Sequence, residues 1–132
     1  MIPISIEQAS ADAGGHFQVT PAADIVTAVV TDTRQIRGGE LFVAIAGARV
    51  DGATLAGKAI AAGASAVLTA TPEVALASGA PADRLIVADD VLSALGSLAR
   101  HSLRRARDLN PRLQVVAITG SVGKTTTKDL LA

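Results

Sequence analysis

Apolar residues along the 132-residue chain fall into short β-branched runs separated by helical spacings and glycine-rich turns. Ser5 followed by Gln8 has the spacing of a capping box, so a short helix is predicted from about Ile6 to Gly14-Gly15, where glycine accepts the left-handed conformation. Phe17–Val19 and Ile25–Thr31 are rich in β-branched residues and predict strands. Thr31-Asp32-Thr33-Arg34 is a polar loop, Gly38-Gly39 a turn, and Leu41–Ile45 a short apolar strand. After a loop at Asp51-Gly52, Leu55–Ala62 predicts a helix stopped by Gly63, and Ala66–Thr69 a buried strand. Thr71–Ala82 holds Pro72, Gly79 and Pro81 and predicts a surface connection with room for one helical turn. Leu85–Val87 is a further strand. Asp89 or Asp90 can cap a long helix that carries Val91, Leu92, Leu95, Leu98, Ala99 and Ser102 on one face. Asn110-Pro111 ends that unit, because the residue before proline resists the helical region. Leu113–Ile118 then starts a new strand and Lys124 a new helix. The alternation of strand and helix predicts an α/β architecture.

Composition acts mainly by exclusion. Hydrophobic residues make up 49% and charged residues 18%, which is globular rather than disordered. Phe17 and Phe42 are the only aromatics, so a base-stacking nucleic-acid surface is not expected. Twelve basic residues balance twelve acidic ones, so no net field draws the chain to nucleic acid or anionic lipid. There is no cysteine, which fits a reducing compartment. Met1–Ser10 carries Glu7 and no basic run, so it does not read as a secretory signal, and a cytoplasmic location is expected. Mean hydropathy is +0.42, but Lys58, Glu73, Asp83 and Arg84 interrupt the most apolar region, so no membrane insertion is expected.

The strongest chemistry lies near the end. The apolar strand Leu113–Ile118 and Thr119 run into Gly120-Ser121-Val122-Gly123-Lys124-Thr125-Thr126. Gly120 and Gly123 would let successive backbone N–H groups point at one anion, and the following helix end adds its own unpaired N–H groups. Lys124 would set a full positive charge on the β- and γ-phosphates of a bound nucleotide, as the catalytic cation. Thr125 would place its hydroxyl on Mg²⁺. The loop is the shorter G-x-x-G-K-T form, since Ile118 stands where the usual pattern has a further glycine. The plainer reading is a glycine turn with an incidental exposed lysine. Other features carry less. Arg100, Arg104, Arg105, Arg107 and Arg112 with His101 read as the solvated end of a helix, where cations suit the dipole. Asp89-Asp90 reads as a helix cap rather than a magnesium site.

The segment Thr119–Thr126 resembles the ATP loop of the Mur ligases. Upstream, Thr31-Asp32-Thr33-Arg34, Gly39-Glu40-Leu41-Phe42-Val43-Ala44, Gly47, Asp51-Gly52 and Gly63-Ala64 with Ala66-Val67-Leu68 are similar to the amino-terminal domain of the branch that handles uridine-linked muramoyl peptides. The resemblance implies a small mixed-sheet amino-terminal domain over residues 1–110, followed at 111–132 by the first strand, P-loop and helix start of a central P-loop ATPase domain. It implies ATP-dependent amide ligation through an acyl phosphate. Ser121 with Thr127-Lys128-Asp129 resembles the MurF type, which joins D-alanyl-D-alanine to UDP-N-acetylmuramoyl-tripeptide, rather than the MurE type, which adds the third residue. By this likeness Thr33, Arg34, Asp51 and Gly52 would contact the UDP end, and the enzyme would act as a monomer. The family's usual histidine after Asp-Gly is Ala53 here, so a contact from that imidazole is lost. The simpler account of Asp32 and Arg34 is a salt bridge within the loop.

Three readings compete: the ligase, a non-catalytic UDP-sugar-binding module, and an unrelated P-loop NTPase with an accessory domain. Residues 1 to about 108 are expected to fold as one domain, with 112–132 mobile or held by a neighbour. No ligase turnover is expected from the chain alone, because later strands of the ATP domain are missing.

Overall fold

The Ser5 hydroxyl accepts a hydrogen bond from the Gln8 N–H at 3.0 Å and so starts helix α1, Ile6–Ala13. Gly14 ends it in the left-handed conformation at φ 70°. The computed structural model describes residues 2–45 and 52–109. Within them the chain forms β1 (Ile4–Ser5), α1, β2 (Ile25–Val26), β3 (Ala28–Val30), β4 (Glu40–Val43), α2 (Ala56–Ala61), β5 (Ala66–Thr69), α3 (Pro72–Ala77), β6 (Leu85–Val87) and α4 (Val91–Leu109), with three short 3₁₀ turns. β1 and β2 pair antiparallel, Ile4 opposite Val26. β3, β4, β5 and β6 form a separate sheet, wholly parallel and in chain order.

Register explains the layers. Leu41, Val43, Ala66, Leu68 and Ile86 point to one face, where Ile6, Ala9 and Ala13 of α1 and Val91, Ala94 and Leu98 of α4 cover them. Phe42, Val67 and Leu85 point the other way, into a layer built from Ala53, Ala56, Ala59, Ala75 and Ala80. Small side chains there let α2 and α3 approach closely. A methyl group on Gly57 would lie 2.2 Å from the Ser78 carbonyl oxygen. The Ser78 hydroxyl accepts from the Gly57 N–H at 2.9 Å and donates to the Ala75 carbonyl at 2.6 Å.

At the amino edge of the sheet, Arg84 Nη1 donates to Asp24 Oδ2 at 3.0 Å and to the Ser65 carbonyl at 2.7 Å. Buried Glu40 accepts from the backbone N–H groups of Arg37 and Gly38, which shapes the turn into β4.

Several sequence expectations need correction. Phe17–Val19 is not a strand. His16 makes one isolated bridge to Val87, and Val19 is exposed, with Pro21 lacking a donor to extend pairing. Ile25–Thr31 is two strands, because Thr27 turns the chain from one sheet to the other and gives its N–H to the Gly39 carbonyl at 2.8 Å. The connection after Thr71 holds a true helix, α3, with Pro72 in its first turn. On α4, Leu92 is 62% exposed, and Ala94 is buried instead. Arg105 is not part of a solvated basic end: its Nη2 lies 2.6 Å from the buried Asp12 Oδ2.

Candidate functional site

Because β3 to β6 run parallel, their carboxyl ends share one edge, and every loop that follows them meets there. In open α/β sheets ligands bind outside such an edge. The Ala44 N–H donates to the Leu68 carbonyl at 2.9 Å and the Ala88 N–H to the Thr69 carbonyl at 3.0 Å, so the frame extends past the last strand residues. Thr69 is fully buried, and its Oγ1 accepts from the Thr71 N–H at 3.0 Å, which fixes the turn at exposed Ala70. A cleft of about 360 Å³ opens over these ends, lined by Ala44, Ile45, Ala70, Thr71, Asp89, Asp90, Val91 and Leu92.

One wall is the start of α4, and Asp90 caps it. Its Oδ1 accepts from the N–H groups of Leu92 at 3.0 Å and Ser93 at 3.2 Å, and its Oδ2 from the Ser93 hydroxyl at 3.0 Å. The Ser93 N–H, then its hydroxyl, hold the Asp90 carboxyl below the ordinary carboxylate value. The cap expected at Asp89 or Asp90 is thus Asp90. Among the described residues no three His, Cys, Asp or Glu side chains gather as a metal site.

Thr33 and Arg34 follow β3 on the same edge, in a 3₁₀ turn over Thr33–Gln35. Asp32 caps that turn and binds Arg34 twice over. The Arg34 N–H donates to Oδ1 at 2.9 Å, Nε to both oxygens at 3.1 Å, and Nη2 to Oδ2 at 2.7 Å. The Arg34 side chain hydrogen bonds, then its backbone N–H, lower the Asp32 carboxyl from 3.8 to about 2, and Lys58 on α2 adds a smaller favourable field. The same pairing raises Arg34 above its ordinary value. The Arg34 side chain is still 86% exposed.

Gly52 is buried after β4, where its N–H donates to the Ile45 carbonyl at 3.1 Å. A methyl group there would sit 2.7 Å from the Ile45 oxygen, so this position admits only glycine without a shift of backbone. Ala53 is fully buried in the core beside Ala56, so its side chain belongs to the packing under the site. Asp51 and the loop Gly120, Ser121, Val122, Gly123, Lys124, Thr125 and Thr126 lie outside the described residues. The structure thus brings Thr33, Arg34 and Gly52 to one edge. It adds a cleft at Ala70-Thr71 and Asp89–Leu92 that sequence reasoning did not single out. Helical spacing alone puts Leu92 on the covered face of α4, so no signal in the sequence marks this cleft.

The comparisons with known proteins agree with this frame. A family profile described as Mur ligase family, catalytic domain, matches residues 25–103. The UDP-N-acetylmuramoyl-L-alanyl-D-glutamate--2,6-diaminopimelate ligase of Syntrophomonas wolfei is 40% identical over 116 residues, 88% of this chain and 22% of that protein. The UDP-N-acetylmuramoyl-tripeptide--D-alanyl-D-alanine ligase of Mycobacterium leprae is 36% identical, over 100% of this chain and 29% of that one. The crystal structure of MurF from Acinetobacter baumannii superposes with a TM-score of 0.65 at 28% identity, over 96% of this chain and 26% of that one. The chain therefore spans between about a fifth and three tenths of the length of these relatives. With a profile matched from β2 into α4 and a MurF-like arrangement of strands, the chain belongs to the Mur ligase family.

Proposed function

We propose that residues 1–110 form the domain that receives the UDP end of a muramoyl-peptide precursor, and that residues 111–132 begin the ATP-binding domain of the same ligase. The observation that carries this is the single edge where the cleft, the Asp32–Arg34 turn and the Gly52 loop converge. The cleft has apolar walls at Ala44, Ile45, Val91 and Leu92 and two carboxylates, Asp89 and Asp90. It suits an uncharged ring rather than a phosphate. Asp90 also fills the first N–H groups of α4, which removes that helix end as an anion site. Charge on the precursor would fall instead to the flank bearing Thr33, Arg34 and Lys58.

The reaction we assign is the ATP-dependent joining of D-alanyl-D-alanine to UDP-N-acetylmuramoyl-tripeptide in the cytoplasm, by a protein acting as a monomer. By its sequence Gly120–Thr126 would supply backbone N–H groups, the Lys124 cation and the Thr125 hydroxyl, a donor set of the kind that ATP with Mg²⁺ requires. Bound there, ATP and Mg²⁺ would supply the phosphoryl group that turns a carboxylate into an electrophile. Lys124 would hold the phosphates and Thr125 the metal. The first reading follows Ser121 and Thr127-Lys128-Asp129, and the MurF superposition supports it. A second reading, a ligase that adds the third residue, is favoured by the Syntrophomonas wolfei relative.

Calorimetric titration of the chain with UDP-N-acetylmuramoyl-tripeptide, without ATP, tests the binding role. Saturable binding that UDP competes for, and that Thr33→Val or Arg34→Ala weakens, is the expected result. No binding, or binding indifferent to both substitutions, rejects it. Turnover of the intact parent with D-alanyl-D-alanine against diaminopimelate decides between the two ligase readings.

A further inference from the structure

Helix α4 outruns its own apolar packing. Its buried residues are Val91, Ala94 and Leu98. From 99 to 109 no residue is buried, yet the helix continues to Leu109. A stretch that short has little intrinsic stability in water. Ala99, Leu103 and Ala106 are only half-buried there, and a polar contact to α1 adds to them. The Asp12 side chain is 3% exposed and faces Arg105 Nη2 at 2.6 Å. Gln8 Nε2 donates to Asp12 Oδ1 at 2.8 Å, and the Ser97 hydroxyl donates to the Asp12 carbonyl at 2.6 Å. Asp12 thus ties α1 to α4 at two levels. Arg100, Arg104 and Arg107 are exposed on the same helix, so Arg105 alone among these arginines is turned to the domain. A buried carboxylate that loses its cation carries a heavy desolvation cost, so the pair constrains both helices.

We propose that Asp12 and Arg105 form an ionic latch that fixes the direction in which α4 leaves the domain. Opening it releases residues 99–109 as a local unit while the parallel sheet stays folded. The start of α4 forms a wall of the cleft through Asp90, Val91 and Leu92, and its end leads in sequence to residues 110–132. The latch therefore sets how rigidly the cleft is joined to whatever follows it.

Amide hydrogen exchange on the 132-residue chain tests this with Asp12→Asn, Arg105→Gln and the double variant. Each single change should speed exchange in 99–109 by about tenfold or more, leaving β4, β5 and β6 as protected as before. The double variant should exchange no faster than the faster single one, and Arg105→Lys should recover part of the protection. Arg105 is partly exposed, so its variants carry the test if Asp12→Asn does not fold. Unchanged exchange in 99–109 with Arg105→Gln, equal acceleration throughout the sheet, or failure of Arg105→Gln to fold overturns the proposal.

Discussion

Asp32 and Arg34 are bound by side chain and backbone together, with Arg34 Nη2 2.7 Å from Asp32 Oδ2 and the Arg34 N–H 2.9 Å from Oδ1. The pair holds the Asp32 carboxyl at about 2, against 3.8 when free. A carboxylate lowered by folding stabilises the folded state above its unfolded value, and that contribution is lost as pH falls through the folded one. The Asp32 contribution is therefore complete above 3.8 and disappears by about 2. In an NMR pH titration Arg34→Ala should move the Asp32 midpoint up, but short of 3.8, because the backbone donor at residue 34 survives. An unmoved midpoint would show that the side-chain pair does not persist in solution.

Asp24 and Asp90 are lowered in the same sense. The Ile25 N–H is the first cause at Asp24, followed by the Arg84 side chain, and the Ser93 N–H is the first cause at Asp90. All three carboxylates lose their stabilising bonds on protonation. The urea midpoint of the domain should be flat above the ordinary carboxylate range and fall steadily below 3.8. A midpoint that rises on acidification would contradict these assignments.

At the Gly57–Ser78 contact the two helices α2 and α3 leave no room for a side chain. Gly57→Ala would gain helix propensity but must push back a carbonyl oxygen 2.2 Å away. Overpacking of this kind costs roughly 1–3 kcal/mol, more than the ~1 kcal/mol that alanine returns in a helix. Chemical denaturation should show a net loss. A more stable variant would mean that α3 moves away freely.

Gly52→Ala should act on binding as well as on stability, since the added methyl group meets the backbone of Ile45 at the mouth of the cleft. The expected result is weaker binding of a UDP-muramoyl peptide with a domain that still folds at low temperature. Ser5→Ala, by contrast, removes only the α1 cap and should cost about 1 kcal/mol with binding unchanged.

Lys124→Ala in the intact parent protein separates the two halves of the proposed function. ATP-driven amide synthesis should be lost while UDP-precursor binding is kept. Normal synthesis by that variant would remove the role given to the Gly120–Thr126 loop.

Much of the frame was readable residue by residue. Strands β5 and β6 fall where the runs Ala66–Thr69 and Leu85–Val87 predict them, because each is a short apolar run bounded by glycine, proline or aspartate. The α1 cap was visible as Ser5 and Gln8. The break at Thr27 was not, since a β-branched run looks the same whether it serves one sheet or two. The polar turn at Asp32–Arg34 and the glycine at 52 carried their own chemistry. The cleft did not, because Ala70-Thr71 and Asp89–Leu92 meet only through the parallel alignment of β4, β5 and β6. The Asp12–Arg105 pair was hidden for a similar reason: one basic residue of several faces inward, and its partner lies on a distant helix.

The chain-order arrangement of β3, β4, β5 and β6 bears on how the domain is assembled in time. Parallel neighbours cannot be zipped from a tight hairpin, so each of these pairings must wait for a crossover segment to close. Such non-local closure slows the search for the native topology relative to a helical bundle of similar size. During that search the apolar stretches Leu41–Val43 and Ala66–Thr69, which end fully covered, are open to other chains. Refolding yield should therefore depend on protein concentration far more than the high final burial of these strands would suggest.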